Sequence, residues 1–378
     1  HRDLHLSIRR QRQMCIRDSA PLLRGLLATG ADNVHYTVVH MIERMVRQDR
    51  LALLRVGEQN GEGSLETDPH TAHTAHTVDK APTVDKADKA DKADKGTQAP
   101  VLSDDPSGAL KPLISVIICS IDSEKYAAIS RHYHELLAGE AYEIIGIHDA
   151  RSLCEGYNRA VRQAAGDIFI FSHDDIEILT PDFAARLKRH LEIHHVVGAC
   201  GTSRLVIGHW LNAGWPHLHG LVAHHYPKDH GVSENANRYR VMVMDTSADI
   251  STGCLQGLDG MFMAARREVV ERCPFDEEAF DGFHLYDLDF SFSAYLAGFD
   301  VAVFRDITMV HYTYAQTAGY EKAFIHYRRR FEEKYRNELA TGGVDRRRFL
   351  PAMFDSTAEV ASFCRALLAF RRSALPGC

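Results

Sequence analysis

The residue types in this chain that could do chemistry gather where apolar runs stop in acid. The sharpest case is His173-Asp174-Asp175, which follows the run Ile168-Phe169-Ile170-Phe171 inside GDIFIFSHDDIE. A short run that is apolar at every position reads as a strand buried on both faces, as in a parallel sheet. Ligands of open α/β sheets bind outside the carboxyl ends of the strands, so the acids stand where a ligand is expected. Two adjacent carboxylates with an imidazole beside them suit a divalent cation such as Mg or Mn. The same letters also suit a solvated turn, and only their context separates the two. Further acids and histidines repeat the pattern: His148-Asp149 after Glu143–Ile147, His311 after Ile307–Val310, and Asp259 ahead of Gly260 and an apolar run. Asp287 and Asp289 open an apolar helical stretch, where the helix dipole alone favours carboxylates.

The elements that must position these residues alternate. Leu113–Cys119 is a β-branched apolar run and the first expected strand. A helix follows over Ser123–Ala138 with Ser123 as N-cap, then a strand over Glu143–Ile147. Leu153–Ala165 reads as a second helix closed by Gly166, and Pro181 opens a third that runs to His195. Strands alternating with helices indicate a mostly parallel sheet with helices on both faces, an α/β fold whose commonest ligand is a nucleotide. Neither G-x-G-x-x-G nor G-x-x-x-x-G-K-[ST] occurs, which counts against a dinucleotide dehydrogenase and a P-loop enzyme. A nucleotide here would be held by a carboxylate on the base and a metal on the diphosphate.

Val196–Ile207 reads as a strand pair. Residues 208–239 are rich in His and aromatics, including His209, Trp210, Trp215, His217, His219, His224, His225 and His230. Their spacing is weak for zinc. A long loop or hairpin that shapes an acceptor pocket is the expectation, with aromatics that either stack on sugar rings or pack the loop down. Phe290, Phe292, Tyr295 and Leu296 line one apolar helical face, Gly298 ends that helix and Val301–Phe304 is a strand. A basic, aromatic helix over 320–338 and a helical tail from 345 complete the chain.

Composition bounds the reading. The chain has 378 residues and a net charge of -7, which gives no sign of a nucleic-acid surface. Its eight cysteines form no C-x-x-C pair, as expected of reduced thiols in a cytoplasmic protein. No apolar run is long enough to span a bilayer, so at most a peripheral membrane contact is expected, and the polar, basic opening residues do not read as a signal peptide. Residues 1–19 (HRDLHLSIRRQRQMCIRDS) resemble translated sequencing-adaptor read-through and are expected to be non-native. Residues 20–57 carry helical apolar spacing. Residues 58–111, with repeats of Thr, Ala, Asp and Lys, are expected to be a disordered linker. The main domain is placed at 112–340 and a C-terminal helical tail at 341–378.

Five blocks in series carry a resemblance: LISVIIC, CEGYNRAVRQAAGDIFIFSHDDIEIL, GLDGMFMAARREVV, FDEEAFDGFHLYDLDFSFSAYLAGFDVAVF and VHYT. Over residues 113–313 the chain is similar to family 2 glycosyltransferases of the GT-A fold, in the bacterial glycosyltransferase-like branch. The resemblance implies transfer of a sugar, with inversion, from a nucleotide-diphosphate donor, most often a UDP-sugar, to a hydroxyl of a glycan, lipid-linked or protein acceptor. It implies that Asp149 accepts from the nucleobase and that Asn158 and Asp174 lie on the donor side. His173-Asp174-Asp175 occupies the place of the D-x-D motif, so Asp175 takes the metal load with His173 and the late His311. Asp287 becomes the general base, and Asp259, Asp289 and Trp215 fall on the acceptor or phosphate side. Two positions depart from the family pattern: His173 stands for Asp and Tyr286 for Glu. A silent nucleotide-sugar-binding module is therefore one alternative. A sugar-phosphate nucleotidyltransferase is another, although only Lys125 follows the first strand in ICSIDSEKY.

Overall fold

The structure, a computed structural model, describes residues 112–214, 216–226, 238–245, 247, 249–312, 320–341 and 352–374. The segments expected at 1–19, 20–57 and 58–111 lie outside the described residues, as does Trp215.

The described chain begins with strand β1 (Ile114–Cys119), helix α1 (Ser123–Leu136), strand β2 (Tyr142–Ile147), helix α2 (Leu153–Gln163) and strand β3 (Ile168–Ser172). Then come β4 (Ile176–Ile178), α3 (Phe183–Ile193), β5 (Val196–Gly198), β6 (Cys200–Thr202), a 3₁₀ turn (Trp210–Ala213), β7 (Leu218–Tyr226) and β8 (Arg238–Val243). Next are β9 (Ser251–Thr252), β10 (Gly257–Leu258), β11 (Phe262–Arg266), α4 (Arg267–Arg272), α5 (Tyr286–Leu296), β12 (Val301–Phe304) and β13 (Met309–His311). The last are α6 (Tyr320–Lys334), β14 (Ala352–Phe354) and α7 (Thr357–Ala374).

The main sheet has the order β2-β1-β3-β11-β5-β12-β9. β2, β1, β3, β5 and β12 run one way; β11 and β9 run the other. Every residue of β3 is buried, with β1 on one side and β11 on the other. Its side chains are buried on both faces of the sheet, which is why its sequence shows no polar alternation. β1 and β2 are apolar for the same reason, and the one buried acid among them, Glu143, accepts from the Ser115 hydroxyl at 2.6 Å and the Ala165 amide at 2.7 Å. A second sheet, β10-β6-β7-β13-β4, carries β8 against β7 and β14 against β8. The stretch expected as a loop or hairpin at 208–239 thus includes the 3₁₀ turn and the antiparallel pair β7–β8. Among the described residues no helix is long and apolar enough to cross a membrane.

Several boundaries differ from the sequence reading. Asp122, not Ser123, caps α1, because its carboxylate reaches the amides of Glu124 and Lys125 at 2.9 and 3.1 Å. Gly166 does not close α2, which ends at Gln163 with Ala164 as cap. Gly166 instead lies against β1, donating its amide to Ser115 Oγ at 2.9 Å, where a Cβ would come within 2.3 Å of that oxygen. The third helix starts at Phe183 and ends at Ile193. The tail is not wholly helical, since β14 pairs with β8 before α7 begins.

Candidate active site

Because β1, β2 and β3 are parallel, their carboxyl ends open at one edge of the sheet. β1 ends at Ser120, whose hydroxyl donates to Asp174 at 2.5 Å. β2 ends at His148-Asp149, and the His148 ring nitrogen Nδ1 donates to the Ser120 carbonyl at 2.9 Å. The Asp149 carboxylate is open to solvent and meets Arg159 at 2.6 Å, a hydrogen bond that holds its carboxyl below the usual range. β3 ends at His173-Asp174-Asp175, and the His173 amide donates to the Met261 carbonyl at 3.0 Å, just ahead of antiparallel β11. The turn Asp259-Gly260-Met261 therefore shares this edge. β13 pairs with both β4 and β7 and delivers His311 opposite Ile176 and His224.

His173, Asp175 and His311 converge. His311 Nε2 lies 3.2 Å from Asp175 Oδ1 and 3.4 Å from His173 Nδ1, and Nδ1 lies 3.8 Å from Oδ1. Three atoms so spaced lie on a circle of radius about 2 Å, so one cation can stand at bonding distance, about 2.0–2.2 Å, from all of them. Among the described residues this is the one group of three or more His, Cys, Asp or Glu side chains with metal-holding spacing. Burial pushes the Asp175 carboxyl up, but the hydrogen bond from His311 and the charges of both histidines outweigh it and hold the group at about 2. Burial, then the His311 charge, lowers His173. The donor set, one ionised carboxylate and two imidazole nitrogens, fits a divalent cation.

Tyr286 and Asp287 stand at the start of α5. The Tyr286 hydroxyl bridges the Gly260 carbonyl at 3.1 Å and His173 Nε2 at 2.7 Å. Asp287 keeps some contact with solvent, yet burial pushes its carboxyl up to about 7, helped by the negative charge of Asp259 and resisted by backbone amides that include those of Leu288 and Gly260. Gly260 is required there, since a Cβ would lie 2.2 Å from the Tyr286 oxygen and 2.8 Å from the Asp287 Cβ. Asp259 is fixed by the indole N–H of Trp210 at 3.2 Å and the Met261 amide at 3.0 Å. Two carboxylates of one site whose environments push them apart, Asp175 down and Asp287 up, suit one permanent anion and one base.

Two expected site residues are elsewhere. Asn158 spends both ends of its amide on Phe275, donating to the carbonyl at 2.8 Å and accepting from the amide at 3.1 Å, so it ties α2 to that segment. Asp289 is two residues along α5 from Asp287, about 200° around the helix. It faces the end of α6, where Lys334 Nζ and the hydroxyl of Tyr335, the next residue, reach it at 2.6 and 2.7 Å. Lys334→Met is expected to destabilise the fold by about 2 kcal/mol, the order of cost of stranding a buried acceptor. That is below the ~3–5 kcal/mol of breaking a fully buried pair, since Lys334 keeps 30 % of its side-chain surface exposed. Urea unfolding would measure this, and ligand binding by the folded variant should persist. Sequence reasoning also missed three contributors. Trp210 stood only among the loop aromatics, and Tyr286 only as a departure from a pattern. His224 is held by burial and the nearby His311 charge at about 4, its ring 5.7 Å from that of His311.

The Glycosyltransferase like family matches residues 115–336. The chain belongs to that family. No curated protein sequence matches the chain. Among solved structures, the chain is similar to the mannosyltransferase PcManGT from Pyrobaculum calidifontis in complex with GDP-Man and Mn2+, with 15 % identity, 73 % of this chain and 77 % of that one covered, and a TM-score of 0.34. It is also similar to S. aureus TarS 1-349, with 12 % identity, 60 % and 73 % covered, and a TM-score of 0.29.

Proposed function

We propose that the protein transfers a sugar, with inversion, from a nucleotide-diphosphate donor, a UDP-sugar in the first instance, to a hydroxyl acceptor on a glycan, a lipid-linked glycan or a protein. The observation that carries this reading is the division of labour between two carboxylates: Asp175 is ionised beside two imidazoles at cation spacing, and Asp287 is raised to about 7. His173, Asp175 and His311 hold a divalent ion, Mn or Mg, which when bound neutralises charge that builds on the departing diphosphate. Asp149 accepts from the nucleobase at the end of β2, and Asp174, held by Ser120, orients the donor side. Asp287 takes the proton of the acceptor hydroxyl as its oxygen bonds to the anomeric carbon. One displacement with one base inverts that carbon. Asp259 has a supporting part, since its charge keeps Asp287 basic.

The test is turnover of a panel of UDP-, GDP- and dTDP-sugars by the full chain with Mn, with Mg and with chelator, with the product anomer read by NMR. Metal-dependent turnover of one donor with an inverted product is expected. Tight donor binding without turnover on any acceptor would favour a silent binding module, a reading that the departures at His173 and Tyr286 keep open. A folded protein that binds no donor would overturn the assignment of the site.

A further inference from the structure

The two positions that depart from the family pattern touch each other: His173 Nε2 and the Tyr286 hydroxyl are 2.7 Å apart, across 113 residues of sequence. A phenol has one proton to give. A carbonyl can only accept, so the hydroxyl that bridges Gly260 O and His173 gives its proton to the carbonyl and accepts from Nε2–H. His173 then carries its proton on Nε2, and Nδ1 is left with a lone pair facing Asp175 and His311. The distances on that side agree. Nδ1 stands 3.8 Å from Asp175 Oδ1 and 3.4 Å from His311 Nε2, both longer than the 2.7–3.2 Å that a ring N–H donor makes.

We propose that Tyr286 is a positioning residue that locks His173 in the Nε2–H tautomer, and that the resulting ligand set of two imidazole nitrogens and one carboxylate oxygen makes the site favour later first-row divalent ions such as Co2+ over Mg2+. This rests on the reading of the cluster as a metal site. Imidazole nitrogen favours later first-row ions, whereas carboxylate and water oxygen suit Mg2+. An aspartate at position 173 would supply oxygen, so histidine there moves the preference of the whole site. An outer partner that fixes the ring of a ligating histidine typically changes metal affinity by about 10–100-fold. The hydroxyl of Tyr286 is such a partner, and its own support is the Gly260 carbonyl.

The test is direct metal binding, by calorimetry with Co2+, Mn2+ and Mg2+, to the full chain and to Tyr286→Phe and His173→Asp, together with 15N NMR of the metal-free histidines. Expected are an Nε2-protonated neutral His173, Co2+ bound at least about tenfold more tightly than Mg2+, and a loss of about tenfold or more in Co2+ affinity in Tyr286→Phe. Near-UV circular dichroism reports whether that variant keeps its fold. His173→Asp gives the answer independently, since it should narrow or reverse the Co2+ over Mg2+ preference. A proton on Nδ1, or Mg2+ bound as tightly as Co2+ by the parent, would overturn the inference while leaving the metal site standing. Failure of the folded parent to bind any of the three ions would overturn both.

Discussion

Replacing Asp287 by Asn is expected to lower kcat by about 10²–10⁴-fold, the usual contribution of a positioned general base, with donor affinity retained. The substitution keeps the shape of the side chain and removes only its ability to take a proton. Asp287 is the one site carboxyl raised to about 7, by burial first and the Asp259 charge second. In the parent, kcat/KM should therefore rise about tenfold per pH unit below 7 and level off above it, as Asp287 ionises. Asp287→Asn should lose that limb. Stability should move oppositely. A carboxyl raised in the folded state binds its proton more tightly there than in the unfolded chain, so folding is penalised above pH 7 and the penalty fades as pH falls towards 4. Asparagine carries no such penalty. The variant should thus melt higher than the parent at pH 8, with the gap narrowing as pH falls to 5. Steady-state rates and thermal melts across pH 5–9 measure both effects, and unchanged turnover in the variant would remove Asp287 from the role of base.

How far the sequence carried this site depends on the distance over which each feature is determined. β1 and β3 are covered on both faces, so each position must be apolar and the run stands out without any alignment. The place of the acids followed from that, because parallel strands end together. The different surroundings of Asp287 and Asp289 are also legible locally, since two helical steps turn a side chain about 200°, although the sequence reading puts both in the site, Asp287 as base and Asp289 on the acceptor or phosphate side. Asn158 was less accessible. It sits in a segment that reads as donor-side, and only the fold brings Phe275 to it, 117 residues along. The pairing of His173 with Tyr286 is of the same kind. Each alone reads as a lost ligand or a lost acid, and together they are a hydrogen bond. Asp122 for Ser123 as the cap of α1 is a one-residue matter, since both types cap well and only the backbone turn decides.

Asp175→Ala is expected to abolish metal binding and, with it, turnover. Asp175 is the only anion of the three grouped side chains, and its carboxyl is held at about 2 by His311 and His173. Its loss removes the negative charge that draws a cation to the two imidazoles. The affinity change should exceed the about 10–100-fold typical of an outer partner. The cleanest measure is thermal. A ligand that binds only the folded state stabilises it by about 2.7 kcal/mol at a hundred times its dissociation constant, so the parent should melt higher on addition of Mn2+ while Asp175→Ala should not respond. The pH dependence has a definite sign as well. A carboxyl depressed on folding contributes stability above its unfolded pKa near 4 that is lost as pH falls through its folded value near 2. The metal-free parent should therefore lose more stability than Asp175→Ala between pH 5 and pH 2. A parent that shows the acid loss but no response to Mn2+ would keep Asp175 as the electrostatic partner of His311 and deny it the role of ligand. A response to Mn2+ that survives in Asp175→Ala would place the ion elsewhere in the chain.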